Sequence, residues 1–130
     1  MKKLVQKSLI AVTVVLGTAA PALAADAAAG KAAFAQCAIC HQVGPNAQVV
    51  VGPPLNGIVG KKAASYDGFA YSADLKKLGE EGYVWNEEHL DAWLANPKAI
   101  APASTMSLAF PGISDADQRA NIIAFLKTQN

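Results

Sequence analysis

Two thiols and an imidazole stand within five consecutive positions, Cys37-Ala38-Ile39-Cys40-His41, and these are the only cysteines of the chain. Two thiols at this spacing can each add to one vinyl group of a single haem, while the residue that follows turns an imidazole toward the iron. On that reading one haem c is held covalently through Cys37 and Cys40, and His41 is the proximal metal ligand. Other chemistries use the same side chains. A redox-active dithiol belongs with a βαβ pattern, which the sequence does not offer. A structural disulfide is possible in an exported protein but leaves His41 without a role. A zinc site would have to draw on Cys37, Cys40, His41 and His89, the whole inventory of cysteine and histidine, and adjacent Cys and His fit poorly with the usual ligand spacings.

A second axial ligand can be sought by elimination. Beyond Met1, Met106 is the only methionine, and beyond His41, His89 is the only histidine. A thioether in a protein interior is usually a filler. Met106 follows Ala101-Pro102-Ala103-Ser104-Thr105, which reads as a Pro-rich, non-helical loop where a lone packing Met is less expected. His89 lies between Glu88 and Leu90 in the first turn of a predicted helix, with a solvent-facing role as the ordinary expectation. Met106 is therefore the candidate for the sixth position.

The elements that must position these groups are mostly helices. Ala27 to Gln36 is Ala-rich and follows Asp26, an acceptor for the free amides of a first turn. From Gln42 to Gly60 the density of Gly, Pro and Asn predicts a long ordered loop, of the kind that wraps a ligand. Asn86 reads as an N-cap, with Glu87 and Glu88 at the positive end of the helix dipole and Trp85 and Leu90 spaced as a hydrophobic staple. Leu90, Trp93 and Leu94 share one face of that helix, which Asn96-Pro97 ends. Ala99 to Ile113 reads as irregular. Ser114-Asp115-Ala116-Asp117 opens a last helix with Ile122, Ile123, Phe125 and Leu126 on its apolar face. Only Gln48 to Val51 shows any alternation that would suit a strand, and no internal repeat is present, so the class is all-α.

Composition sets the context. At 130 residues the chain has room for one domain. Lys2, Lys3 and Lys7, then an uncharged apolar run from Ser8 to Ala20, then Ala22-Leu23-Ala24 make the three parts of a cleavable export signal. The predicted division is a signal peptide over 1–24 and one domain over 25–130, which places the protein in the periplasm. The apolar run is shorter than the ~20 residues that span a bilayer, so no permanent membrane anchor is expected. Removing the segment takes three of eleven basic residues and none of the ten acidic ones. The remainder is mildly acidic and lacks the clustered positive charge of a nucleic-acid binder.

Taken in order, Gly30 and Phe34, the haem motif, Gly52-Pro53-Pro54-Leu55-Asn56-Gly57, Tyr71, Trp85, Asn96-Pro97-Lys98, Met106 and the final Ile122 to Lys127 make a sequence that resembles the class I c-type cytochromes, the soluble bacterial monohaem group. The resemblance implies a small cytochrome c fold, with helices and long loops wrapped around one covalent haem. It also implies roles. Pro53 would offer its carbonyl to the outer nitrogen of His41, Tyr71 and Trp85 would hydrogen-bond a haem propionate, and Ser104 and Thr105 would seat the Met loop. Gly30 and Phe34 would meet Ile122 and Phe125 where the terminal helices cross.

Three positions depart from the group's pattern. Lys61 stands where many relatives have Arg, Trp93 where a Tyr often touches the Met sulfur, and the lysine ring around the haem edge is mostly missing, with Lys98 retained but Thr105 and Leu108 in place of basic or aromatic residues. The implied function is a monomeric periplasmic single-electron carrier, not an enzyme, with His41 and Met106 as axial ligands and membrane or periplasmic redox proteins as donors and acceptors. Two alternatives remain: a haem subunit dedicated to one dehydrogenase, and a haem protein with a labile Met that binds small ligands or reduces peroxide.

Overall fold

Asp26 begins the first ordered element as its sequence suggests. Its carboxylate accepts from the amides of Ala28 at 2.8 Å and Ala29 at 3.3 Å, satisfying donors that a first helical turn leaves free. In the computed structural model, which describes residues 23–130, this starts α1 (Ala27–Ala33), which tightens into a 3₁₀ turn at Phe34–Gln36. Five further helices follow: α2 (Ala73–Glu80), α3 (Glu87–Ala95), α4 (Pro97–Ile100), α5 (Thr105–Ala109) and α6 (Ala116–Lys127). The predicted export signal lies almost wholly outside the described residues.

The terminal helices cross at a glycine. A Cβ on Gly30 would stand 1.8 Å from the carbonyl oxygen of Asn121 and 2.9 Å from Cβ of Phe125, so only glycine lets α1 approach α6 this closely. Phe34 and Phe125 pack beside the crossing with ring centroids 5.3 Å apart, and the Asp26 amide reaches Asn121 Oδ1 at 2.7 Å. Arg119 ties α6 to α3 through Asp91, with Nε 2.7 Å from Oδ1. Phe34, Trp85, Leu90, Trp93, Leu94, Ile122, Ile123, Phe125 and Leu126 make up most of the buried core.

The helix starts at Asn86 and Asp115 are as the sequence predicts: Asn86 Oδ1 accepts from the His89 amide at 2.8 Å, and Asp115 caps α6 through Asp117 and Gln118. Gln42 to Gly60 contains no regular element. Other expectations need correcting. The stretch Ala99 to Ile113 is not irregular throughout, since α4 runs to Ile100 and α5 occupies Thr105–Ala109. Pro97 ends α3 and at once begins α4, because a proline at the first helical position gives up only an amide that would be free anyway. Gln48 to Val51 form no strand; among the described residues the only β-type pairing is the isolated bridge between Lys62 and Val84. Helix α2 has no counterpart in the sequence reading. Its Ser72 cap position makes no side-chain capping bond, and only Leu75 and Leu78 mark its inner face.

Candidate functional site

The haem motif is an extension of the first helix's hydrogen bonding. The amides of Cys37 and Ala38 bond back to the Phe34 carbonyl, and those of Cys40 and His41 to the Cys37 carbonyl at 3.0 and 2.9 Å. Both cysteines are unpaired and half-buried. Burial, assisted by the neighbouring Cys40, pushes the Cys37 thiol up to about 11. Among the described residues no group of three or more His, Cys, Asp and Glu side chains is arranged to hold a metal ion, which leaves the zinc alternative without a ligand set.

His41 is held on two sides. Its Nδ1 lies 2.8 Å from the Pro53 carbonyl oxygen. A carbonyl only accepts, so Nδ1 carries the proton and Nε2 keeps a free lone pair. Burial lowers the His41 pKa, against the opposing Pro53 hydrogen bond, and a neutral ring is the form that ligates a metal. The ring rests on Gly52, where an added Cβ would stand 2.4 Å from Cε1 and 2.7 Å from Nδ1. The resemblance includes Gly52 in a motif; the need for empty space against the imidazole becomes visible only in three dimensions. An open hollow of about 440 Å³ lies beside this ring, lined by Phe34, Ala38, His41, Gln42, Val43 and Pro45 among others, and Met106 is not among its walls.

Met106 stands in the second position of α5, not in the non-helical loop that Pro102 suggests. Its sulfur accepts a hydrogen bond from Nε1 of Trp93 at 3.2 Å. The contact that the resemblance led one to expect from a Tyr is here made by an indole N–H. Ser104 caps α5 by accepting from the Ser107 amide at 3.1 Å. Ser107 in turn donates to the Ala101 carbonyl at 2.6 Å, and the two hydroxyls are 2.7 Å apart. Both serines are buried. Ser107, rather than the exposed Thr105, is therefore Ser104's partner in seating this segment. No local pattern marked Ser107, whose acceptor lies six positions back.

Trp85 is buried and tilted against Trp93, with centroids 5.2 Å apart. Tyr71 is half-buried, its ring edge-on to Phe69 and its hydroxyl oxygen accepting from the Tyr66 amide at 3.2 Å. The hydrogen bonds among the described residues leave the Tyr71 O–H and the Trp85 indole N–H unclaimed, as a cofactor carboxylate would require. Leu55, Ile58, Leu75, Leu78, Ile100 and Phe110 are packed on the core yet only partly covered, which suits a large apolar group. This donor set fits haem c. Lys61 reaches the Asn56 carbonyl at 3.0 Å. His89 is not simply solvent-facing: Nδ1 lies 2.6 Å from the Val84 carbonyl oxygen, and the ring stacks on Tyr83 at 4.0 Å.

Comparison with known proteins bears on the family and the fold. The family model described as cytochrome c matches residues 27–130. A cytochrome c2 of Rhodomicrobium vannielii is 47% identical over 107 residues, covering 82% of each chain. A cytochrome c2 of Blastochloris viridis is 38% identical over 96% of this chain and 94% of its own. Among solved structures, cytochrome cH from Methylobacterium extorquens superposes with a TM-score of 0.71 at 47% identity, over 80% of this chain and 99% of that one.

Proposed function

The chain belongs to the cytochrome c family, and from that membership we propose that it is a periplasmic single-electron carrier whose iron is held between His41 and Met106. One covalent haem c and electron transfer come with the family; the ligands, the compartment and the partners are the proposal. A bound haem c supplies one-electron exchange between ferrous and ferric iron. Cys37 and Cys40 hold it, Pro53 fixes the tautomer of His41 and makes the ring more basic, and Tyr71 and Trp85 direct their free donors to a propionate. Residues 1–24 act as a cleaved signal peptide and 25–130 as the working domain. Among the described residues no helix is long and apolar enough to cross a membrane. The donors and acceptors are membrane-bound or periplasmic redox proteins, met by a monomer.

The carrying observation is that the two candidate ligands are each secured by a partner of their own, His41 by the Pro53 carbonyl and Met106 by the Trp93 indole. A haem iron held by both His41 and Met106 would have no place for substrate, which favours a carrier over an enzyme. The same restraint on Met106 weighs against the labile-ligand alternative. A near-infrared spectrum of the oxidised protein tests the assignment. The weak sulfur-to-iron band should be present, lost in Met106→Ala and retained in His89→Ala. A band that survives Met106→Ala would exclude Met106 as the ligand.

A further inference from the structure

Helix α5 has five residues, well short of the ~12 to 15 at which an isolated helix becomes marginally stable, so the place of Met106 depends on what fastens the turn before it. Ser104 and Ser107 close that turn from within. A second fastening comes from another part of the chain. Asp74, in the first turn of α2, accepts the backbone N–H of Ala103 on Oδ2 at 2.7 Å. Its Oδ1 accepts the Leu75 amide at 2.9 Å and the Ser72 hydroxyl. Both carboxylate oxygens are thereby committed. The Asp74–Ala103 bond joins α2 to the Met106 segment across 29 positions of the chain.

We propose that Asp74 is a positioning residue that latches the Met106 segment, and that this latch keeps small ligands from solution out of the sixth coordination position. The proposal rests on Met106 as the sixth ligand. A carboxylate bonded to a backbone N–H is roughly twice as strong as a neutral pair. Burial raises the Asp74 pKa, but hydrogen bonds from Ser72, Ala103 and Leu75 outweigh it and the net shift is downward, so the acceptor is charged at neutral pH. An entering ligand must displace the thioether, which needs the segment to open. Its apparent affinity scales with the fraction of molecules already open, and removing the latch raises that fraction. Asp74 thus helps to separate an electron carrier from a ligand-binding haem protein by holding the segment that carries Met106.

Imidazole titration of the ferric, haem-loaded protein tests this. Asp74→Ala should bind imidazole about tenfold more tightly than wild type. Asp74→Asn keeps a neutral acceptor oxygen and should fall between; it carries the test if Asp74→Ala fails to accumulate. Glu80→Ala, which removes a carboxylate from the same helix, should match wild type. If Asp74 only stabilises α2, thermal unfolding shifts while imidazole affinity stays at the wild-type value, and the latch is overturned. A wild-type protein without the near-infrared sulfur band would overturn both the Met106 assignment and the latch. A normal band with unchanged imidazole binding in Asp74→Ala and Asp74→Asn overturns the latch alone.

Discussion

The His41 imidazole lies so close over Gly52 that a single methyl group would occupy its place, 2.4 Å from Cε1. Gly52→Ala must tilt the ring or move the backbone, and the 2.8 Å bond to Pro53 is at risk either way. Overpacking of this kind costs about 1 to 3 kcal/mol. The variant should keep its covalent haem, melt at lower temperature and show altered electron paramagnetic resonance of the ferric iron. An unchanged spectrum would mean that the ring is not set by Gly52. At Met106, the proposed sixth ligand, the Trp93 N–H would draw electron density from the sulfur and so disfavour ferric iron more than ferrous. Trp93→Phe removes the donor and keeps an aromatic ring, so the potential should fall. A neutral hydrogen bond is worth about 0.5 to 1.5 kcal/mol, and since only the part that differs between the two oxidation states counts, the fall is at most about 20 to 65 mV for one electron, within reach of redox titration. An unchanged potential would show that the 3.2 Å contact has no electronic consequence, and a rise would overturn its assigned sign.

Among the elements, the crossing of α1 and α6 joins the two ends of the described residues and aims the haem motif, because the 3₁₀ turn after α1 runs directly into Cys37. The crossing depends on Gly30, whose added Cβ would meet backbone on α6 at 1.8 Å. Backbone does not yield as a side-chain tip does, so Gly30→Ala should separate the helices despite the better helix propensity of alanine. The expected loss is at least the ~1 to 3 kcal/mol of an overpacked core, read as a lower midpoint in thermal or denaturant unfolding. A variant as stable as wild type would mean that the helices part without cost. Fluorescence of Trp85 and Trp93, both core residues, would follow the same transition.

The whole molecule distributes its charge unevenly. Between Lys31 and Lys61 there is no Asp, Glu, Lys or Arg, and this stretch carries the haem motif. On it Ile39 is 74% exposed and Val49, Val50 and Val51 are all exposed, while Leu108, two residues beyond Met106, is 77% exposed. Electrostatic steering needs a field of one sign, and here apolar side chains occupy the surface beside both candidate ligands. Association with a redox partner should therefore proceed at the ~10⁵ to 10⁷ M⁻¹s⁻¹ of unsteered complexes. Its rate should change little as salt shortens the Debye length to about 8 Å at physiological ionic strength. Stopped-flow reduction by the native donor across a salt series measures this. A steep fall with salt, reversed in Lys98→Glu, would reveal steering by a basic patch that includes the exposed Lys98.

The sequence alone determined whatever is written in adjacent residues: the attachment motif, the caps at Asp26, Asn86 and Asp115, and the apolar faces of α3 and α6. Capping and periodicity act over a few positions, so their signals lie side by side in the chain. It also made Met106 the candidate by elimination, but placed it in a loop, since Pro102 masks a short helix whose Ser104 cap and Ser107 partner lie beyond it. Tertiary structure decided the rest. Trp93 reaches the Met106 sulfur across 13 positions and Asp74 reaches the Ala103 amide across 29, while Gly52 yields its space to a ring rather than to its own backbone. Such contacts obey no fixed spacing; they depend on where the intervening chain is folded, and no local pattern records that.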